Sequence, residues 1–305
     1  MANTLGIIRG KKAGGTEVYY NGTKDTSIKK AYINDKWIYY KSFPKYKNVG
    51  DIVSYRDKIY AWGFYDESLT YTQSKWYSFD GNNWTQIGNM PYYGNNSYDY
   101  PAYRGVVYHD KIHIFGGSSS NDLKKHYAWN GSSWSSQSTL PYNVFYSYSS
   151  VIVYKDKIHL LGGHDTADRK KHYAWNGSSW SSQSTLPFEM EDGTVAVYNN
   201  KLHIINGTKH YAWDGSSWSS QSTLPVDTNK SCAIAYNGEI HLVGGYKGSS
   251  INKHYTWDGN SWREKNFGSL GSAADSSLFI HEGNLYYGKY SNIYVYKGYL
   301  DKIEK

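Results

Sequence analysis

The sequence predicts an all-β chain: six radial four-stranded sheets arranged as a β-propeller behind a small β-rich N-terminal segment. Three observations predict it. Near-identical segments recur with a period of about 40 to 50 residues. Each period holds several short runs of β-branched and aromatic residues separated by Gly, Asn and Asp. No stretch carries the apolar spacing of about 3.6 residues that marks an amphipathic helix.

The repeats are unusually close in sequence. Residues 124–141 read KKHYAWNGSSWSSQSTLP, residues 170–187 read the same, and residues 209–225 differ from them only by Asp214 for Asn. Weaker copies are residues 253–265 (KHYTWDGNSWREK) and 75–86 (KWYSFDGNNWTQ). Before each copy stands a second element: DKIYAWG from Asp57, DKIHIFGG from Asp110, DKIHLLGG from Asp156, NKLHIING from Asn200 and GEIHLVGG from Gly238. A sixth, degenerate copy is GNLYYG from Gly283.

Within residues 149–185 each element has its own reason. Residues 150–154 (SVIVY) form a β-branched run, which suits a pleated, half-buried surface. Lys155 and Asp156 make a tight turn. Residues 157–161 (KIHLL) are a second strand, ended by Gly162 and Gly163. Glycine takes backbone angles closed to other residues and lets a neighbouring blade approach. After a short loop, residues 171–175 (KHYAW) are a third strand. Asn176 and Gly177 tolerate the positive φ that hairpin turns need. Residues 180–185 are the fourth strand, opened by a Trp whose large ring fills the wedge between blades.

This order of a hydrophobic strand, a turn, Ile-x-x-x-Gly-Gly, an aromatic third strand and a Trp opening the fourth resembles the Kelch repeat. The resemblance covers residues 49–305. Blades two, three and five keep the double glycine (Gly116 and Gly117, Gly162 and Gly163, Gly244 and Gly245). Blade one has Gly63 alone, blade four has Asn206 and Gly207, and blade six has Tyr296-Lys-Gly-Tyr299 in place of the Trp turn. The resemblance implies a six-bladed Kelch-type propeller over residues 47–305.

Residues 1–46 fall outside the repeat. Residues 16–20, 28–33 and 36–40 read as three short strands, with turns at Asn21-Gly22 and Asn34-Asp35. Three short strands make a marginal core alone. The segment therefore docks on another protein, lends residues 36–40 as an edge strand that closes the ring, or does both. Residues 29–34 (KKAYIN) resemble a short motif of structural proteins from phages of Gram-positive bacteria. That resemblance implies other virion proteins as partners through residues 1–46.

Composition narrows the classes of function. Hydrophobic residues make 39% and charged residues 19% of 305, which is a folded globular composition. The formal charge of +7 favours polyanions such as teichoic acid or acidic polysaccharide. Lys is scattered and forms no run, so the sequence offers no nucleic-acid footprint. One cysteine, Cys232, rules out an internal disulfide. Residues 1–15 lack an apolar core of signal-peptide length, and no apolar stretch would span a membrane as a helix. The expected setting is a virion protein, made in the host cytoplasm and acting outside it.

Antiparallel order gathers the connections after strands two and four at one end of the propeller. These connections vary from blade to blade and are rich in Tyr. The expected ligand-binding residues are Tyr65, Tyr92, Tyr93, Tyr98, Tyr100, Tyr103, Arg104, Tyr142, Phe145, Tyr146, Tyr148, His164, Asp165 and Arg169. Tyr beside Asn, Ser and Gly combines rigid amphipathic contact with adaptable hydrogen bonding. Sugars present both apolar ring faces and hydroxyls, so the surface suits a host cell-surface polysaccharide, with a protein receptor as the other choice.

Enzymatic chemistry finds little support in the sequence. Eight of the 11 histidines hold two repeat positions: His113, His159, His203 and His241, and His126, His172, His210 and His254. One copy per blade spreads each set at about 60° steps around a six-bladed ring instead of closing a ligand shell. Packing or hydrogen bonding between blades is their expected role, and no metal or other cofactor is expected. In sialidase propellers an Asp, one residue and a Gly precede the Trp, whereas Asp214-Gly215 and Asp258-Gly259 are adjacent here. Galactose-oxidase-like propellers need a Cys–Tyr cross-link and copper, and Cys232 sits in a strand as a small apolar residue. The expected function is non-enzymatic: a phage tail, baseplate or virion-surface adhesin for host cell-wall glycan. A structural decoration or assembly protein that binds only phage proteins is the second reading, and a glycan-acting enzyme the third.

Overall fold

The computed structural model describes residues 11–12, 15–16, 19–20, 23–24, 30–43, 50–62, 75–91, 104–117, 122–144, 150–163, 165–265, 276–289 and 292–304. These residues hold strands and turns and no helix. The chain divides into two compact units: Tyr39–Val295, and Met1–Ile38 together with Tyr296–Lys305.

The larger unit is a six-bladed β-propeller. Blade one is the sheet of Asp51–Tyr55, Lys58–Trp62, Lys75–Phe79 and Trp84–Asn89. Blade two holds Arg104–Tyr108, Lys111–Phe115, His126–Trp129 and Trp134–Ser136. Blade three holds Ser150–Tyr154, Lys157–Leu161, His172–Trp175 and Trp180–Ser182. Blade four holds Thr194–Tyr198, Lys201–Asn206, Lys209–Trp213 and Trp218–Ser220. Blade five holds Cys232–Tyr236, Glu239–Val243, His254–Trp257 and Trp262–Lys265. The strands of these five blades are antiparallel and follow chain order. First strands of consecutive blades are neighbours, and the first strand of blade six, Ser277–His281, meets that of blade one. The ring is therefore closed, and the first strands surround its axis.

Blade six is composite. Its sheet runs Ser277–His281, Asn284–Lys289, Asn292–Glu304 and then Lys30–Ser42. The fourth strand thus comes from the N-terminal side of the chain. Within the propeller, Ser42 Oγ donates to Asn292 Oδ1 at 2.9 Å, and Trp84 Nε1 donates to the Ser42 carbonyl at 3.1 Å. Trp262 Nε1 makes the same bond to the Ser222 carbonyl at 3.2 Å. Residues 39–42 therefore occupy the place of an ordinary fourth strand. The turn expected at Asn34-Asp35 is absent, because Lys30–Ser42 stays extended along its partner strand. In the smaller unit, Lys11–Lys12 pairs with Gly15–Thr16 and Tyr19–Tyr20 with Thr23–Lys24.

The core lies between blades, not inside any one of them. Tyr55, Trp62 and Trp76 of blade one pack with Ile112 and Ile114 of blade two, and the pattern repeats through blade five. Each fully buried side chain of this size contributes about 1.5–3 kcal/mol. The Tyr ending each first strand reaches into the next blade and donates to a carbonyl of its first turn. The bonds are Tyr55 to Asp110, Tyr108 to Asp156, Tyr154 to Asn200, Tyr198 to Gly238 and Tyr236 to Gly283, at 2.8–3.2 Å. At the seam His281 replaces the Tyr, and its Nδ1 meets Ser54 Oγ of blade one at 2.9 Å.

The repeated histidines form pairs. Nδ1 of His113, His159, His203 and His241 meets Nε2 of His126, His172, His210 and His254, each at 2.8–2.9 Å. His159 Nε2 faces the Tyr154 carbonyl at 3.2 Å, which places its proton there. His159 Nδ1 therefore accepts from His172. The first three pairs lie against the third-strand Trp of the following blade: Trp175, Trp213 and Trp257. Burial lowers His113, His159 and His203 to about 4, and His126, His172 and His210 to about 3.

Candidate functional site

The strand bounds separate two unlike ends. At one end the connections between strands one and two are always two residues, and those between strands three and four in blades one to five are always four. Left-handed angles at Lys155 and Asp156, and at Asn199 and Asn200, make the short turns tight. The longer ones are held by an Asx turn: Asn130 Oδ1 accepts the amides of Ser132 and Ser133 at 2.9 Å, and Asn176, Asp214, Asp258 and Asp80 do the same. At the opposite end, connections run from two residues at 207–208 to fourteen at 90–103. Loop variation on a rigid scaffold is where binding groups are usually carried.

Of the expected ligand-binding residues, Tyr65, Tyr92, Tyr93, Tyr98, Tyr100, Tyr103, Phe145, Tyr146, Tyr148 and His164 lie outside the described residues. Arg104, Tyr142, Asp165 and Arg169 are described, and all belong to the variable end. Tyr142 is buried at 3% exposure, and its hydroxyl donates to the Gly162 carbonyl at 2.6 Å. It ties the loop after blade two to blade three, and burial pushes its phenol well above the usual value. Asp165 is exposed, and its carbonyl accepts the Asp168 amide at 2.7 Å. Arg169 pairs with Glu191 at 2.8 Å and more loosely with Glu189 at 3.8 Å, which joins two variable connections. Arg104 opens the first strand of blade two.

Six structurally equivalent positions surround the axis at this end. They open the first strands: Asp51, Arg104, Ser150, Thr194, Cys232 and Ser277. Asp51 is buried. Its Oδ1 accepts from the Ile52 amide at 2.9 Å and from Ser277 Oγ at 3.0 Å, while Oδ2 accepts from the Gly105 amide at 2.9 Å. Burial raises its carboxyl, against the opposing pull of Arg104. Thr194 Oγ1 accepts the Ala233 amide at 2.9 Å, the same bond to the following blade that Asp51 makes. Ser150 Oγ donates to the Gly193 carbonyl at 2.8 Å. Cys232 Sγ lies 3.3 Å from Ser276 Oγ and 3.5 Å from the Val243 carbonyl. Burial pushes its thiol up to about 11, with Arg104 and Lys289 acting in the other direction. Lys289, ending the second strand of blade six, is 3% exposed.

Sequence reasoning included Arg104 in this group and missed the others, treating Cys232 as an apolar strand residue. The signal was present: when the repeats are aligned on their DK or NK turns, this column alone opens each hydrophobic strand with a different polar residue in almost every blade. Among the described residues no group of three or more His, Cys, Asp or Glu stands close enough to hold a metal. The paired histidines are engaged with one another and enclosed between blades.

No protein-family profile matches the sequence, and no curated protein is similar to it. Among solved structures, one described as "Structure of YjhT" superposes with a TM-score of 0.68 over 87% of this chain and 99% of that chain. Sequence identity is 15%, so the likeness concerns the fold alone.

Proposed function

We propose that the chain is a Kelch-type, non-enzymatic binding protein of a phage particle, a tail or baseplate adhesin that takes host cell-wall glycan on the variable end of its propeller. The observation that carries this reading is the contrast between the ends. One is built from turns of fixed length and repeated chemistry, and the other from connections of two to fourteen residues whose sequences differ between blades. Those connections hold most of the tyrosines outside the repeats. Residues 29–34 supply the phage context, and residues 1–46 the attachment to other virion proteins. Copies on one particle would turn weak single sites into firm adhesion through effective concentration.

Sedimentation with cell-wall fractions of Gram-positive bacteria tests the reading. The protein is expected to co-sediment with at least one wall polysaccharide. Tyr98→Ala, Tyr100→Ala and Tyr146→Ala together are expected to weaken binding at least tenfold while the circular dichroism spectrum stays unchanged. Absence of binding to every wall fraction, or full binding by the triple variant, would count against it.

A further inference from the structure

At the junction of blades four and five, the variable end carries an exposed aromatic ring in a fixed place. Blade five bears a small hairpin there, Tyr246–Lys247 against Ser249–Ser250, in its connection between strands two and three. Of the exposed large hydrophobic residues described, Tyr39 and Ile280 lie within blade strands, whereas Tyr246, at 44% exposure, lies on this hairpin. A single exposed ring is ordinary on a protein surface. What sets Tyr246 apart is how it is held. Its backbone pairs with Ser250 on one side and bridges to Asn229 on the other, and its amide donates to the Asn229 carbonyl at 2.7 Å. The Ile251 amide closes the base of the hairpin on the Gly245 carbonyl at 2.9 Å. A ring carried on so clamped a backbone loses little freedom when it binds.

Directly paired residues of an antiparallel bridge set their side chains on one face, with Cβ atoms about 4.5–5.5 Å apart. Tyr246 therefore shares a face with the amide of Asn229 and the hydroxyl of Ser250. Asp227 converges on the same place: a Cβ on Gly207 would lie 3.0 Å from Asp227 Oδ1 and 3.8 Å from Asn229 Oδ1. The bare Cα of Gly207 leaves room beside both oxygens. Among the described residues, no hydrogen bond engages the Asn229 side chain, the Tyr246 hydroxyl or Asp227 Oδ1. Asp227 Oδ2 is paired with Lys247 Nζ at 2.7 Å, and Lys230 stands against Asp192 at 4.0 Å. With both lysines already matched by carboxylates, the chemistry fits a neutral ligand, not a polyanion. An aromatic face covers the C–H side of a sugar ring, while planar amide and carboxylate groups bond its hydroxyls.

We propose that Tyr246, Asn229 and Asp227 form a subsite for one neutral sugar ring, with Tyr246 stacked on the ring and Asn229 and Asp227 bonded to its hydroxyls. The inference rests on the wall-glycan reading and deepens it: a neutral pyranose unit of that glycan is assigned to the junction of blades four and five.

The test separates the subsite from the reading. The N-acetylglucosamine tetramer and maltotetraose, both neutral, are titrated into the full chain by calorimetry, alongside Tyr246→Ala, Tyr246→Phe and Asn229→Ala. Wild type is expected to bind at least one of the two saccharides. Tyr246→Ala is expected to lose at least tenfold in affinity, Tyr246→Phe to keep most of it, and Asn229→Ala to lose several-fold. Because Tyr246 and Asn229 are exposed, all three variants are expected to melt within error of wild type. Equal binding by Tyr246→Ala and wild type, or binding of neither saccharide by wild type, would overturn the subsite. If wall polymer is held equally well by Tyr246→Ala but lost in the Tyr98, Tyr100 and Tyr146 triple variant, the glycan reading stands and the subsite falls. If the saccharides bind through Tyr246 and no wall fraction does, the subsite stands and the wall-glycan reading falls.

Discussion

At Gly162 the backbone has a φ of 70°, and a Cβ there would lie 2.3 Å from the Met190 carbonyl oxygen. Gly116 meets Val144 in the same way. The double glycine of the repeat is thus a contact surface: the connection leading to the next blade crosses directly over it. Gly162→Ala is expected to cost on the order of 3 kcal/mol, from the left-handed angle and the displaced carbonyl together. A urea midpoint within error of wild type would show that the crossing connection can move aside. The glycines and the Trp positions were legible in the repeat, because each depends on its own residue type; the Asn-Gly turns were legible as turns, but only Gly177 takes the positive φ, and Asn176 instead accepts two amides with its side chain. The first-strand tyrosines were visible as a column but not as latches, since their acceptors are main-chain carbonyls 40 to 55 residues away. The residues at the axial mouth were hidden for a related reason. Their meaning comes from six different blades meeting, not from any local motif.

Each blade from two to five carries one histidine pair in the middle of its sheet, across strands two and three. The pair needs both members. With His159 gone, the enclosed Nε2–H of His172 has no acceptor, which costs about 1–3 kcal/mol beyond the lost packing. His159→Leu and His172→Leu are expected to be strongly non-additive. Chemical denaturation of both singles and the double should give a coupling of about 1 kcal/mol or more. Additive losses would mean that the two rings are neighbours without being partners. At this scale the sequence allowed packing or hydrogen bonding between blades. The hydrogen bond instead lies within the blade, and the contact with the next blade is made by the ring faces on a Trp.

Over the whole propeller these pairs make stability depend on pH. An unfolded histidine takes its proton near 6.5. In the folded ring, burial delays this to about 4 at His113, His159 and His203 and to about 3 at His126, His172 and His210. Between about pH 6.5 and 4 the unfolded state therefore binds more protons, so stability is full above that window and falls as pH drops through it. Melting temperature followed by circular dichroism is expected to decline steeply from pH 7 to pH 4. A flat profile over that interval would show that the pairs are not held neutral by enclosure. The blade count could be read from the repeats, and the closure was one of the two roles open to residues 36–40. The sixth fourth-strand carries no Trp turn and comes from the far side of the sequence.

That composite sheet has a consequence for how the molecule is made. Residues 39–42 leave the ribosome before any blade exists, and their place beside residues 292–295 appears only after five sheets have been synthesised. Joining segments some 250 positions apart carries a loop-closure cost that grows only slowly with length, but it falls on a step no local contact can anticipate. Until then the nascent chain is an open arc, with the flank of blade one that carries Ile52, the side chain that packs on Gly288 of blade six, still bare. Ring completion therefore comes after the other five blades are made, and the early strand must wait for it.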